Sequence, residues 1–390
     1  MLRILSLATL FPDAVRPNFG LFVERSLRAL GEQPGIDLTV LAPIGLPPFP
    51  LSLHPRYRPL RALPHCEEWH GLTVHRPRFT IVPRIGAARN PAAIAHTVLP
   101  LVRRWHRERP FDVIDAQFFY PDGPAAMKIA AELGVPFSIK ARGADISHFG
   151  HDRATAPQIL AAAKAADGLL AVSAAMRADM AALGMDAAKI RVHYTGVDTG
   201  RFCPGDRAAA RAALDLGAGP VIATVGALIP RKGQELVIAA LPALPGVTYV
   251  LAGAGDSEGM YRALAARLGV ADRVRFLGPV ANAMLPQLYR AVDAVVMPSI
   301  SEGLANAWVE ALACGTPIVI SDVGGAAELV TSPLAGRIVA RTPDAIADAV
   351  RALLTEPRAP QEVAATLQGR FDWNRNGREL GDHLQAVARR

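Results

Sequence analysis

The sequence has three cysteines in 390 residues, Cys66, Cys203 and Cys314. Three scattered thiols build no disulfide framework; this excludes a small stapled secreted scaffold and points to a reducing compartment. No run of eighteen apolar residues occurs, which excludes a transmembrane helix. The apolar start MLRILSLATLF is too short to span a bilayer and lacks a small-residue cleavage site. It reads as a first strand, not a signal peptide. No Asp-x-Asp occurs, so an acidic pair that would hold a metal is not evident. No complete Gly-x-Gly-x-x-Gly follows the first strand, which counts against a dinucleotide-binding start.

Apolar residues make up 51% of the chain, enough for sizeable cores, and the length suits two domains. Net charge is +7 and unevenly spread. Residues 1–199 hold 23 Lys+Arg against 17 Asp+Glu, net +6; residues 200–390 hold 19 against 18, net +1. The first half thus carries the positive field, which suits an anionic partner or an acidic membrane surface. Nucleic acid fits the charge but finds no binding motif.

The stretch SEGLANAWVEALACGTPIVISD, residues 301–322, is the most informative. It follows AVDAVVMPS, which reads as a buried strand. Gly303 opens a turn, and the run from Leu304 to Ala313 predicts a helix. Gly315 and Pro317 end it, and Pro-Ile-Val-Ile starts another strand. Glu302 then lies in the loop after a strand. Glu310 falls about two turns into the helix, on the order of 12 Å further along. Between them is a helix N-terminus with free N–H groups and a positive dipole end. An elongated ligand with a polyol at each end and a diphosphate in the middle suits that arrangement, and a nucleotide-sugar has that shape. Two solvated surface glutamates are the plain alternative; the apolar surroundings, Gly303 and the strand end argue against it.

Glu-x7-Glu followed by Ala-x-Ala-Cys-Gly-Thr-Pro-Ile-Val resembles the donor site of the family 4 retaining glycosyltransferases. The resemblance implies an α/β protein of the GT-B fold: two Rossmann-like domains whose parallel sheets face a central cleft. It assigns residues 1–198 to an acceptor-binding domain and 199–371 to a nucleotide-sugar-binding domain, with a helix over 372–390 packing back on the first. On the donor it places Gly20, Gly226, Gly253, Gly303, Leu304, Ala305, Asn306 and Glu310. Among catalytic residues it places Glu302, Lys232, Arg231, Arg142 and Asp145. No metal and no cofactor are expected.

Weaker signposts run along the chain. LRILSLATL and IDLTVLAP are strands flanking the amphipathic helix LFVERSLRAL, and Gly20 before that helix is equally an ordinary turn glycine. Residues 43–64 hold seven prolines with Phe49, Tyr57, Arg56, Arg58 and Arg61, a composition that excludes regular structure. They form either a plain surface insertion or a lip that touches acceptor or membrane. His54, His65, Cys66, His70 and His75 cluster nearby at spacings that match no metal motif. FDVIDAQF, PFSIKARG and GLLAVS alternate with helical segments, the pattern of a parallel α/β domain.

Three strand ends stand out. Arg142-Gly143-Ala144-Asp145 stands where the family often has His-Gly-x-Asp; its guanidinium either binds phosphate or pairs with Asp145. Gln117 stands where a His is common, and Ser173 follows GLLAV. RVHYTGVDTGRF resembles the family's hinge, with Thr195 for Asn, and puts the boundary near residue 200. In the second half, Arg231-Lys232 opens a helix and wants an anion. Lys232 matches the family lysine that neutralises the donor diphosphate, and Ala227 stands where an Arg is usual. Gly253 and Gly255 follow a strand, Gly324, Gly325 and Glu328 form a family-like turn, and FDWNRNGRELGDHLQAVARR reads as a final helix.

The implied reaction moves a sugar from a nucleoside diphosphate, UDP rather than GDP, to a hydroxyl of a saccharide or lipid-linked acceptor in surface polysaccharide or glycan synthesis. Leaving-group charge would meet Lys232, Arg231 and the helix N-terminus near Leu304. The expected location is cytoplasmic, peripheral on the inner face of the membrane. A sugar-nucleotide epimerase of the same fold and a nicotinamide-dependent oxidoreductase are the competing classes.

Overall fold

A computed structural model of the chain describes residues 1–82, 87–356 and 358–390. The chain divides into two compact units. Unit 1 is Met1–Gly196 with Trp373–Arg390, and unit 2 is Val197–Asp372.

Among the described residues, unit 1 is built on ten strands: β1 (Leu2–Leu7), β2 (Ile36–Leu41), β3 (Ile44–Leu46), β4 (Cys66–Trp69), β5 (Leu72–His75), β6 (Arg78–Thr80), β7 (Val113–Ala116), β8 (Phe137–Ala141), β9 (Gly168–Ala171) and β10 (Ile190–Val192). Eight form one sheet in the order β10-β9-β8-β7-β1-β2-β5-β4, parallel except for β4. β3 and β6 form a separate parallel pair. Strands β7, β8 and β9 are buried at every position, so apolar residues face both sides of the sheet without alternation, interrupted by the buried Asp115, Ser138 and Lys140. The order reverses between β1 and β7, which opens a crevice at their carboxyl ends.

Unit 2 repeats the plan with β11 (Val221–Val225), β12 (Thr248–Ala252), β13 (Val274–Gly278), β14 (Ala294–Met297), β15 (Ile318–Ser321) and β16 (Gly336–Val339). All six are parallel in the order β13-β12-β11-β14-β15-β16, and the reversal falls between β11 and β14. Its core includes Ile222, Val237, Tyr249, Leu251, Val296, Val319 and Val350, each fully buried and each worth about 1.5–3 kcal/mol in burial.

The C-terminal helix, Trp373–Ala388, belongs to unit 1 and lies along the first helix, Leu21–Gly31. A Cβ on Gly377 would stand 2.2 Å from the Ala29 carbonyl oxygen, so the two backbones touch there. Asn376 accepts from Ser26 Oγ at 3.1 Å and donates to the Tyr194 carbonyl at 2.6 Å. His383 Nε2 meets Ser138 Oγ on β8 at 2.7 Å. The buried Lys140 Nζ lies 2.7 Å from His193 Nδ1, whose other nitrogen reaches the Asn376 carbonyl at 3.0 Å. Burial drives both Lys140 and His193 well below their ordinary pKa values.

Residues 43–64 contain more regular structure than their prolines imply. β3 is followed by a 3-10 turn over Leu51–Leu53 and a short helix over Arg58–Ala62. Pro50 sits just before the turn and Pro59 in the helix's first turn, positions where the missing N–H has no partner to lose. Of the nearby histidines, His70 Nδ1 lies 3.0 Å from Glu24 and the His75 ring packs tilted against Trp105, centroids 4.4 Å apart. Ser173 caps the helix Ala174–Ala182, accepting from the Met176 N–H at 3.0 Å.

Burial holds His383 neutral, lowering its pKa to about 4 against 6.5 for the free side chain. The unfolded chain therefore binds the extra proton first as pH falls, and stability drops from pH 6.5 toward 4, by about 2–3 kcal/mol from this group. Urea unfolding between pH 4.5 and 7.5 should show a shallower decline in His383→Gln than in the parent.

Candidate active site

The site in unit 2 is assembled where β14 ends. Ile300 N–H donates to the Arg231 carbonyl at 2.8 Å, which ties the 3-10 turn Pro230–Lys232 to the strand exit. Gly233 follows with φ +74°, and a Cβ there would stand 2.4 Å from the Pro298 carbonyl oxygen. The turn therefore fits only with glycine behind it. This clamp aims both cations at Glu302. Lys232 Nζ contacts Glu302 Oε1 at 2.5 Å and Arg231 Nη1 lies 3.6 Å from Oε2. Arg231 also donates to the Ser301 carbonyl at 2.6 Å.

Beside Arg231 and Lys232 the structure places the Glu302 carboxylate. The pair lies on the turn that precedes the helix Gln234–Ala240, not in its first turn. Two cations around one carboxylate leave a net +1; the Lys232 and Glu302 side chains are largely buried, where Coulomb interactions are less screened than in water, and Arg231 is exposed. Gly226 ends β11 with φ +150°, and a Cβ there would stand 3.8 Å from Lys232 Cε. Gly253 ends β12 under a different constraint: its Cβ would fall 1.9 Å from the Gly226 carbonyl oxygen. Its smallness is accounted for by strand contact.

The loop carrying Glu302 is held from behind. The Gly303 carbonyl accepts from Gly325 N–H at 2.8 Å, and a Cβ on Gly324 would stand 2.2 Å from the Glu302 carbonyl oxygen. Leu304 and Ala305 are buried in this turn, and the helix begins only at Asn306. That corrects the expected start at Leu304. Glu310 consequently lies about one turn into the helix Asn306–Ala313, not two. The helix has no side-chain N-cap; Trp308 N–H turns back to the Ala305 carbonyl at 3.0 Å. Trp308 is fully buried and fixes the helix against the core.

Glu310 Oε2 accepts from Tyr289 Oη at 3.0 Å. Burial, then the neighbouring carboxylate, hold the Tyr289 phenol well above its ordinary range, so it stays protonated and donates. At the end of the same helix, burial pushes the Cys314 thiol up to about 12 and keeps it out of nucleophilic chemistry.

Unit 1 gathers a second cluster at the carboxyl ends of β1, β7 and β8. Ser6 Oγ donates to Asp115 at 2.8 Å, and Gln117 Nε2 donates to the same carboxylate. Arg142 donates from Nε to the Gln117 carbonyl at 2.6 Å and from Nη2 to Gln117 Oε1, and its guanidinium lies 5.0 Å over the Phe22 ring. Asp145 accepts from the backbone N–H groups of Phe119 at 3.0 Å, Arg142 at 3.0 Å and Gly143 at 2.7 Å. Asp145 therefore binds the Arg142 backbone, while the guanidinium engages Gln117. Thr9 Oγ1 donates to Asp122 at 2.6 Å.

Burial raises Asp115 and Asp145 and carries Asp122 to about 7. It lowers Arg142 to about 10, which leaves the guanidinium charged at neutral pH. Gly20, at φ +71°, comes so close to Leu10 that a Cβ would stand 2.5 Å from its carbonyl group. Chain packing at the start of the first helix is sufficient to require it.

The sequence puts Arg231 and Lys232 after one strand and Glu302 after another; the structure brings the three side chains together, and it adds Tyr289, Asp115 and Asp122, which sequence reasoning missed. An acid inside the apolar run FDVIDAQF was the available signal for Asp115.

Known structures share this architecture. Sucrose-phosphate synthase from Thermosynechococcus elongatus superposes with a TM-score of 0.81 at 20% identity, over 99% of both chains. Anabaena HepE, solved with UDP and glucose, gives 0.76 at 23% identity, over 99% of this chain and 100% of that one. The fold is GT-B. The model of the glycosyl transferases group 1 matches residues 206–370, and that of Glycosyltransferase Family 4 matches residues 22–201. The chain belongs to the family 4 glycosyltransferases.

Curated relatives include the D-inositol 3-phosphate glycosyltransferase of Mycolicibacterium gilvum, 38% identical over 226 residues, 53% of this chain and 51% of that protein. The protein of that name from Mycobacteroides abscessus is 40% identical over 198 residues, 48% and 44% of the two chains. The chain spans about half the length of the curated relatives it matches. Among the described residues, no helix is long and apolar enough to cross a membrane.

Tyr289→Phe removes the donor facing Glu310. Loss of a hydrogen bond to a carboxylate should cost about 1.5–3 kcal/mol, read as a lower urea midpoint for unit 2.

Proposed function

We propose that the protein transfers a hexosyl group from a nucleoside diphosphate sugar to a hydroxyl of an anionic saccharide or lipid-linked acceptor, with retention of anomeric configuration. The observation that carries this reading is the Lys232–Glu302–Arg231 cluster at the end of β14, with Glu310 one helical turn beyond it.

The chemistry follows from the charges. Breaking the bond between the sugar C1 and the diphosphate oxygen leaves negative charge on the diphosphate and an electron-poor sugar carbon. Lys232, Arg231 and the N–H groups at Asn306 meet the first. Their shift toward phosphate oxygens loosens the pair with Glu302, whose carboxylate then accepts from the sugar hydroxyls. Glu310, oriented by Tyr289, accepts from the ribose hydroxyls at the other end of the donor. Leu304 and Ala305 shape the turn between them, with Gly303, Gly226 and Gly253 keeping the strand ends free of side chains.

Unit 1 is assigned the acceptor, with Arg142 as the charged group and Asp145 setting its backbone; Gly20 admits the donor phosphates. The +6 charge of residues 1–199 supports an anionic acceptor. So do the names of the mycobacterial relatives, whose stated acceptor carries a phosphate. UDP is favoured because HepE was solved with UDP-glucose. Surface polysaccharide or glycan synthesis in the cytoplasm is the setting this implies.

Calorimetry with UDP- and GDP-sugars, followed by transfer assays with and without acceptor, tests the reading. Sugar-nucleotide conversion without any acceptor would identify an epimerase instead. Glu310→Gln should lose about 1.5–3 kcal/mol of donor binding, roughly ten- to a hundredfold, while still folding cooperatively, because the amide oxygen can accept from Tyr289 in place of the carboxylate. Lys232→Ala should lower turnover more than stability; wild-type rates in either folded variant would refute the assignment.

Because the site supplies its own cations and the sequence has no Asp-x-Asp, activity should persist in EDTA. Complete loss on chelation, restored by manganese or magnesium, would contradict a metal-free mechanism.

A further inference from the structure

Phe49, Leu51 and Leu53 lie within five residues and are 76%, 56% and 48% exposed. Val82, just past the end of β6, is 43% exposed. A lone exposed apolar side chain needs no explanation, but such a group does. The segment that carries them is not slack. Leu53 N–H donates to the Pro50 carbonyl at 3.0 Å and His54 N–H to Leu51 at 3.1 Å. Beneath it, Ile44, Leu60 and Leu63 form a small core of their own, with Leu46 and Tyr57 packed against it. The Arg78 guanidinium reaches the carbonyls of Arg76, Leu63 and Pro64, which fixes the exit of the segment. The fold thus holds these apolar side chains in water on a fixed support.

The charge around them has one sign. Residues 43–64 contain no Asp and no Glu, while Arg56, Arg58 and Arg61 are all exposed. Among the described residues none of the three has an ion-pair partner. We propose that this segment docks the protein on an anionic lipid bilayer, with Phe49, Leu51 and Leu53 entering the headgroup–acyl boundary and the three arginines pairing with lipid phosphates.

A protein partner needs about 800 Å² of complementary surface on each side, which three side chains do not provide. A bilayer accepts a short apolar insertion flanked by cations. β3 and β6 follow β2 and β5 by two residues, so the segment lies at the carboxyl edge of the unit 1 sheet, the edge that carries Arg142. Docking there goes beyond the transfer reading and rests on the surface alone.

Flotation of the full chain tests this, using phosphatidylcholine vesicles with and without phosphatidylglycerol. The parent should float with the anionic vesicles at about 0.1 M salt and be released at about 1 M, where the screening length falls to about 3 Å. Phe49→Ser/Leu51→Ser/Leu53→Ser should lower partitioning at least about tenfold. Arg56→Ser/Arg58→Ser/Arg61→Ser should lower it about a hundredfold. All six side chains are exposed, so both variants should keep the parent's unfolding curve and donor calorimetry.

Failure of the parent to float, or equal flotation of the apolar variant, overturns the proposal. So does a parent dimer in sedimentation that the apolar variant abolishes, which would make a second copy the occupant. Flotation without any nucleotide-sugar binding would instead refute the transfer reading and leave docking in place.

Discussion

A parallel sheet delivers the carboxyl ends of all its strands to one edge, and this constraint organises both units. Glu302, Lys232, Arg231, Arg142 and Asp145 all lie on loops or helix starts that leave such an edge, and Glu310 follows one turn into the helix. In unit 2 the reversal of order between β11 and β14 separates two crossovers and leaves room for the Lys232–Glu302 pair. The pair needs backbone support, because a largely buried carboxylate and ammonium are costly to desolvate. Support comes from Arg231, from Gly233 against Pro298, and from the 324–325 turn under Glu302. Unit 1 meets the same constraint with more acid. Asp115, Asp122 and Asp145 are all buried at the corresponding edge: Asp115 accepts from the Ser6 hydroxyl and the Gln117 amide, Asp122 from Thr9, and Asp145 from three backbone N–H groups.

The alternation of strands and helices was legible because parallel strands buried on both faces write long apolar runs, as in FDVIDAQF and AVDAVVMPS. The Glu302–Glu310 stretch was legible for a different reason. Its glycines, helix formers and terminal Gly-Thr-Pro each enforce one local geometry. The helix start was misplaced because Leu304 and Ala305 are good helix formers whose conformation is set from outside, by Gly324 and Gly325 closing on the preceding backbone. The 43–64 segment was misread because prolines were counted and their positions were not. At a first helical turn or just before one, a proline costs little.

What stayed hidden in the sequence is polar and non-local. Lys140 and His193 are 53 residues apart, and Asn376 lies 183 beyond His193; no local pattern marks them as partners. Nothing local marks Tyr289, and only the fold shows its hydroxyl on Glu310. Arg142 shows the same limit. The sequence left it a choice between a phosphate and its neighbour Asp145; that carboxylate is consumed by three backbone N–H groups, and the guanidinium turns to Gln117.

The last helix has a consequence for how the chain is made. Unit 2 is an insertion between Gly196 and Trp373, and unit 1 is closed only by residues that follow it. Domains of a nascent chain usually fold in order from the N-terminus. Here the first unit to be synthesised is the second that can be finished, because Ser26, Ser138 and His193 await Asn376 and His383. Leu380, Leu384 and Val387 fill the same core as Ile4 and Val113. Until they emerge, nearly two hundred residues must wait with an apolar face uncovered, and that interval is when the chain depends most on protection from its neighbours.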